Sequence, residues 1–551
     1  MKQRHITFSV FGNLRALFLL LSETHKSSPI LCKTEVFVRR TMAASPGYDV
    51  PIISFKDERV VEHLFSEFFP AEIVEEKGED ISRQEFQKLL EQMSYPPVYS
   101  TLRVNTHTHD IDQIKGDVEN KLEEAESDHR FEVKKHPVLI DTLIVKSLSM
   151  AGDDFQPRSK IEVIIDPYCG SAVLHGANIF GRGVIGLSKG ASQGDQVSIY
   201  VDLAGKCRRG FKEQYQKEKA FIANGILETS RQELFEGHQN TSGVAVRIKE
   251  TFISNPSLSG LLPKKVFAQK IPSITCSHVL NPQPGECVLD MCAAPGGKTT
   301  HIATLMGNEG LVVALEKAKN KVRIIKKNAR TLNLKIIKAF HKNAVNAVAP
   351  GAPEPSAQGR PPYKSGSFDR VLLDAPCSGT GQRAQIRCVN QVGFVKSFPS
   401  YQRSLFHKAV EAVKPGGTIV YSTCSLTTSE NEAIVVWALK TFPEIKLEEQ
   451  TPRLGKPGIR CHGLTDDQAN KLQRFWPSSS LASNIEANCD NDTIGFFIAK
   501  FVKDMPPPLA TPPSGYTFLL LPPWLHPFPG YTLFLPSWLT SFLGYTLPWL
   551  L

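Results

Sequence analysis

"CVLDMCAAPGGKTTHIATLM", Cys287 to Met306, runs from an apolar strand through a glycine-rich turn into a helix. Gly296 and Gly297 permit tight backbone geometry, and the first amides of the helix are free to receive an anion. The same rhythm continues in "LVVALEKAKNKVRIIKKNARTL", "RVLLDAPC" and "LFHKAVEAVKPGGTIVYSTC", and "TIGFFIAKFVK" supplies a closing strand. Apolar strands alternating with amphipathic helices predict an α/β fold over 251–503, a doubly wound and mostly parallel sheet covered on both faces. Ligands of such sheets sit at the carboxyl ends of the strands.

Upstream, residues 50–158 predict a small α+β unit. "DERVVEHLFSEFF" lines Val60, Val61, Leu64, Phe65 and Phe68 along one helical face, whereas "STLRVNT" reads as extended. Residues 159–250 hold short β-rich runs, "IEVIID", "SAVLHGANIF" and "DQVSIYVDL", punctuated by glycines, which favours a small β-barrel. Residues 1–49 form an extension whose first 41 residues are basic and acid-poor, a pattern shared by transit peptides and poor signal sequences, and a start at Met42 would remove those 41. Residues 504–551 form a low-complexity tail repeating "GYT", and its prolines argue against a membrane span. The Pro/Gly/Ser-rich stretch Ala349 to Ser367 reads as a mobile loop.

At 551 residues the chain exceeds a single core, and 41% hydrophobic with 22% charged residues is a globular composition. A net charge of +9 hints at a polyanionic partner. Eleven cysteines without a CxxC pair fit neither a secreted disulfide framework nor a structural zinc site, so a reducing compartment, the cytoplasm, and no metal are expected. No obligate protein partner is evident.

The loop Cys292, Ala293, Ala294, Pro295, Gly296, Gly297 and Lys298 has two candidate guests. A P-loop needs glycine six positions before Lys298, where Cys292 stands, although "RVLLD" imitates the strand that accompanies a P-loop. S-adenosylmethionine fits better. Its carboxylate can approach the loop amides, and Glu316, ending the next strand, lies where doubly wound nucleoside binders place a ribose acceptor; a solvated helix-start charge is the plain alternative. Two further strands each run into a cysteine, Cys377 after "LLDAP" and Cys424 after "VYST". A lone cysteine there is usually a small buried hydrophobe, but two at neighbouring strand ends suggest chemistry.

The ordered set "TLRVNT", "LNPQPGE", "CAAPGGKTTHIA", "LLDAPCSGTGQR", "KPGGTIVYSTCS", "SENE" and "GFFIAKF" resembles the Nop/Sun RNA cytosine-5 methyltransferases, in the branch that carries a PUA domain. The resemblance spans roughly Ile52 to Lys503. It implies a Rossmann-like class I methyltransferase domain, a PUA barrel and a small RRM-like piece before it. It also implies the two thiol roles, which spacing alone does not separate: Cys424 as the nucleophile that adds to cytosine carbon 6, and Cys377 as the group that promotes release. Asp374 would hold the protonated ring nitrogen 3, and Lys298 would order the cofactor loop or the target base. Where the family places an aspartate on the adenine amino group, this chain has Asn343, and loss of that charge costs on the order of 1 kcal/mol.

In the barrel region Lys206, Arg208, Arg209 and Lys212 stand beside Phe211 and Tyr215, a pattern suited to phosphates and a stacked base. The resemblance implies tRNA bound near its CCA end and methylated in the acceptor stem, with messenger RNA as a further substrate class. An RNA-binding protein whose methyltransferase domain has lost activity, and a P-loop nucleotide hydrolase, remain the competing readings.

Overall fold

The computed structural model describes residues 57–125, 131–148, 155–236, 243–258, 260–356, 359–386, 391–477 and 489–505, with two short strands at 516–517 and 535–536 that pair with each other. The amino-terminal extension, and the carboxy-terminal tail apart from these two strands and its first two residues, lie outside the described residues.

The main sheet contains β1 (Cys287–Asp290), β2 (Leu311–Glu316), β3 (Ile337–His341), β4 (Phe368–Asp374), β5 (Val413–Thr423), β6 (Ile445–Leu447) and β7 (Phe496–Lys503). Their order across the sheet is β3-β2-β1-β4-β5-β7-β6, and Gln473–Phe475 also pairs with β7. The first five are mutually parallel; β7 runs antiparallel to its partners. Alternation explains the apolar runs. Val288, Val312, Leu372, Val420 and Ile498 pack into the core on one face, and Leu289, Val313, Val371, Ile419 and Ala499 into the core on the other. A strand buried on both sides has no face on which a polar residue is free, and each such side chain contributes roughly 1.5–3 kcal/mol by leaving water.

The region read as a single α+β unit is divided in the fold. Helices Glu58–Phe68 and Glu79–Ser94 pack Phe65, Phe68 and Phe86 against Val395 and Leu426 of the main domain. A separate four-stranded antiparallel sheet holds Tyr99–Val104, Phe131–Lys135, Thr142–Ser147 and, as an edge, Val266–Ala268. That edge strand lies beyond the barrel in sequence, so the barrel is inserted into this sheet's chain path. Helix Ile111–Ala125 covers it through Ile114, Val118 and Leu122.

The barrel is a nearly closed six-stranded sheet ordered Ile179–Phe180, Val244–Thr251, Lys219–Leu227, Gln196–Asp202, Glu162–Ile165, Val184–Leu187. "SAVLHGANIF", read as β-rich, starts as helix and is strand only at Ile179–Phe180: Asp166 caps Pro167–Leu174 by accepting from the Cys169 N–H at 2.7 Å, and Pro167 occupies the first turn. An Asp-Pro helix start outweighs the β-branched residues there. The loop read as mobile is fastened at its base, because fully buried Tyr363 exchanges backbone hydrogen bonds with Ala347 and Ala349.

Two buried polar clusters join the small sheet to the helix Gly297–Leu305 that follows the glycine loop. Arg103, wholly buried, donates from Nε to Gln269 Oε1 and from Nη2 to Thr300 Oγ1, each at 2.9 Å. Asp141 accepts from His301 Nε2 at 2.7 Å and His278 Nε2 at 3.0 Å. Burial opposes ionisation of Asp141, yet the two imidazole donors hold its carboxyl below the usual range. Burial pushes His301 down to about 3, so the ring is neutral at physiological pH.

Asp141→Ala leaves two buried N–H donors without an acceptor and should cost roughly 1–3 kcal/mol for each, read from denaturant midpoints. The pH dependence has a fixed sign. A ring that refuses a proton when folded contributes stability above its ordinary value of 6.5, lost progressively as pH falls toward about 3. The stability advantage of wild type over His301→Gln, which cannot titrate, should therefore shrink on acidification through that window; an advantage that grows contradicts the assignment.

Candidate active site

β4 and β5 lie side by side with Asp374 opposite Ser422, so whatever follows each strand emerges at one place. Ser422 Oγ donates to Asp374 Oδ1 at 2.7 Å, and Lys298 Nζ donates to Asp374 Oδ2 at 2.8 Å. Just past the strand ends, Cys377 Sγ and Cys424 Sγ are 3.3 Å apart. The loop after Cys377 lies flat on the backbone: the Gly381 N–H donates to the Cys424 carbonyl at 2.9 Å, and a Cβ at Gly381 would come within 2.3 Å of the Gly495 carbonyl oxygen.

Glu430, inaccessible to solvent, fastens both cysteine loops. Its carboxylate accepts from the Ser378 N–H at 2.9 Å, the Ser378 hydroxyl at 2.5 Å, Gln402 Nε2 at 2.9 Å, Ser425 Oγ at 2.8 Å and Thr427 Oγ1 at 2.9 Å. Ser378 follows Cys377 and Ser425 follows Cys424, so one carboxylate positions both thiols. Sequence reading quoted Glu430 only within "SENE" and gave it no role.

The two sulfurs are electrically unequal. A hydrogen bond from Cys377 lowers the Cys424 thiol pKa; burial opposes this, Gln382 and Lys298 assist, and Asp374 opposes. Cys377 moves up, chiefly through that same bond, then burial, with Glu430 adding repulsion. Among the nine described cysteines, Cys424 alone shifts downward; Cys276, behind Lys298 and Asp374, is pushed by burial to about 12. Burial disfavours the charge on Lys298, but Asp374 more than offsets it and the ammonium pKa rises.

The glycine loop closes around the end of β1. Gly296 has φ +103°, a conformation side chains resist, and its α-carbon faces Ile325 of the next helix. The helix Gly297–Leu305 has no side-chain cap, which leaves its first amides open. Ala293 is buried with its N–H on the Leu315 carbonyl, the Pro295 carbonyl accepts from Asn328, and burial drives the Cys292 thiol well above its usual pKa. Asp290 was missed by sequence reading. Thr299 donates to its Oδ2 at 2.6 Å, its buried Oδ1 has no partner, and burial raises it to about 7. Glu316 ends β2 and accepts from the Ala318 N–H at 2.7 Å.

Asn343 follows the end of β3. Its Oδ1 caps the turn Ala344–Asn346, accepting from the Val345 N–H at 3.3 Å, and also accepts from the Tyr401 hydroxyl at 3.0 Å. The oxygen expected to accept from an adenine amino group thus accepts two hydrogen bonds from within the fold.

A cleft of about 1400 Å³ opens between the barrel and the loop after Cys377, lined by Tyr168, Asp202, Lys270, Ser378, Gln382 and Arg383 among others. Lys206, Arg208 and Lys212 are exposed on the barrel. Arg209 is exposed too, but its guanidinium is bonded to the Val184 carbonyl at 2.9 Å and lies over Phe235. Tyr215 is buried with its hydroxyl on Asp202 Oδ1 at 2.7 Å, so it cannot stack on a base, whereas Tyr168 is 90% exposed. Tyr168 stands in the first turn of the helix Pro167–Leu174 and Tyr215 in the segment before the strand Lys219–Leu227, and the fold rather than the local sequence separates the exposed ring from the buried one. No helix among the described residues is long and apolar enough to cross a membrane.

Residues 277–501 match the family model described as 16S rRNA methyltransferase RsmB/F. The chain is 42% identical over 471 residues to the human tRNA (cytosine(72)-C(5))-methyltransferase NSUN6, covering 82% of this chain and 98% of that protein. The mouse protein of the same name is 41% identical over 474 residues, covering 83% and 98%. The crystal structure of NSun6 from Pyrococcus horikoshii with SFG superposes with a TM-score of 0.61 at 29% identity, covering 80% of this chain and 99% of that one. Two thiols at adjacent strand ends beside a glycine loop, and similarity along nearly the whole length of these relatives, place the chain in the RsmB/F, or Nop/Sun, family of RNA cytosine-5 methyltransferases.

Proposed function

We propose that this protein methylates carbon 5 of a cytosine in the tRNA acceptor stem, position 72 as in the names of its relatives, with S-adenosylmethionine as donor. The observation that carries the chemistry is geometric: the Cys424 and Cys377 sulfurs lie 3.3 Å apart just past two adjacent strand ends, beside Asp374 held by Lys298 and Ser422, and the hydrogen bond between the thiols favours the thiolate on Cys424.

Carbon 5 of cytosine is too electron-poor to take a methyl group until a nucleophile has added to carbon 6. The Cys424 thiolate makes that bond. Asp374 receives the hydrogen bond of the protonated ring nitrogen 3, keeping lone pairs beyond those used by Ser422 and Lys298. The uncapped helix amides and the unpartnered oxygen of Asp290, with Glu316, fit a ligand that carries a carboxylate, an ammonium group and a ribose. When bound, S-adenosylmethionine supplies an electrophilic methyl group. A base then takes the carbon 5 proton and the bond to Cys424 breaks, with the Cys377 thiol assisting this elimination. The neutral Asn343 contributes by fixing Tyr401 and the turn Ala344–Asn346. We assign the barrel as the PUA module and the four-stranded sheet as the RRM-like piece, with Lys206, Arg208, Lys212 and Tyr168 facing RNA.

Cys424→Ala should lower methyl transfer from labelled cofactor to tRNA by on the order of 10³-fold or more. Cys377→Ala should accumulate a covalent protein–RNA adduct on denaturing gels, absent from the double variant. Normal methylation by Cys424→Ala would overturn the assignment.

Thiol alkylation followed by mass spectrometry tests the electrostatics separately. Cys424 should be the first described cysteine to react as pH rises from acid, ahead of Cys377. Glu430→Ala, which strips five donors of their acceptor, should narrow that difference and reduce kcat at least about tenfold. Equal reactivity of the two thiols in the wild-type protein would contradict the charge distribution described above.

A further inference from the structure

From Lys317 to Lys342 the chain carries ten lysines and arginines and no aspartate or glutamate, while the whole chain nets only +9. Helix Lys319–Thr331 buries Val322, Ile325 and Ala329 and turns its cations outward. It packs beside β3, the edge strand of the main sheet. Eight of the ten cations are exposed, and none pairs with a carboxylate among the described residues. Lys326, Arg330, Lys335, Lys338 and Arg360 line one groove of about 720 Å³.

This arrangement works against the isolated protein. Like charges one helical turn apart repel, and Lys319 and Lys321 sit in a first turn that has neither an acidic residue nor a side-chain cap. A partner bringing negative charge would relieve both penalties. An acidic protein surface is the poorer match, because protein interfaces rely on an apolar core and are depleted in lysine, whereas this face offers Ile324 as its only exposed large apolar side chain. Successive cations about 5.4 Å apart along the helix suit the repeated phosphates of a nucleic-acid backbone. The face is also remote from the thiols: β3 stands four strand spacings from β5, on the order of 20 Å.

We propose that the helix Lys319–Thr331 and the adjoining edge of β3 form a second RNA-binding surface, which grips the phosphate backbone of the substrate at a distance from the target cytosine. It is separate from the cleft beside the barrel, and it rests on the reading that the protein acts on RNA. The interaction is electrostatic and independent of sequence, so it adds affinity for a large folded RNA over a short one.

The test substitutes Lys326→Gln, Lys327→Gln, Arg330→Gln and Lys335→Gln together and measures binding to a full-length tRNA transcript and to a hairpin of the acceptor stem alone, across a salt series. The variant should bind the full-length tRNA at least about tenfold more weakly at fixed salt, with the log–log salt slope reduced by about 0.9 for each phosphate that is no longer neutralised. Hairpin affinity should stay unchanged, and with full-length tRNA the KM should rise at constant kcat. Replacing the three lysines by arginine should retain wild-type affinity, which separates charge from folding. Unchanged tRNA affinity and slope, or an equal loss on the hairpin, would overturn the proposal. So would a variant that keeps RNA affinity but loses binding to polyglutamate, the result expected of an acidic protein partner. Binding is read without methyl transfer, so a wild-type protein that binds tRNA through this face yet transfers no methyl group would refute the proposed reaction and leave this surface standing.

Discussion

The site depends on one buried carboxylate. Glu430 is shielded from water and collects five hydrogen bonds from the two loops that carry Cys377 and Cys424 and from the neighbouring Gln402. Charge-assisted bonds of this kind are the strong ones, and a buried carboxylate deprived of them would be costly, so the loops are held to the carboxylate and therefore to each other. The 3.3 Å separation of the sulfurs follows from it. So does part of their inequality, because the negative charge adds its repulsion to the thiol that remains protonated.

Each of the outer elements braces this arrangement from a different side. Helices near the amino terminus seat Leu426, two residues beyond Cys424, and Glu67 accepts from the Ser429 N–H at 2.9 Å. The segment after Cys377 runs straight into the barrel core, where Ala384 and Ile386 are buried and Ser171 Oγ bonds the Ala384 carbonyl at 2.6 Å. A displacement of the barrel is thus transmitted along this short segment to the thiol loop. The small sheet acts on the cofactor side, since Arg103 and Asp141 grip the helix that begins at the glycine loop.

Charge is partitioned in the same way. Around the thiols, Lys298 and Asp374 form a half-buried pair in which each ion compensates the desolvation of the other. On the far edge of the sheet, the cations between Lys317 and Lys342 have no such partners among the described residues. Compensated charge serves the chemistry inside, and uncompensated charge faces outward.

Local order in the sequence determined the parallel sheet, because strands buried on both faces must be continuously apolar and the turns between them must carry glycine. It also determined the glycine loop, Glu316 and the two cysteine-bearing strand ends, since each depends on neighbours within a few residues. The tertiary structure alone set the two thiols' opposite pKa shifts, because those depend on Lys298, Asp374, Gln382 and Glu430 arriving from separate elements. It alone decided that Asn343 is occupied by Tyr401, that Tyr215 and Arg209 serve the barrel, and that Val266–Ala268 completes a sheet begun at Tyr99. Sequence spacing records distance along the chain, whereas hydrogen bonds and electric fields act through space. Thr101 and Arg103 reach Gln269 across 168 and 166 positions of chain, a pairing that only folding brings about.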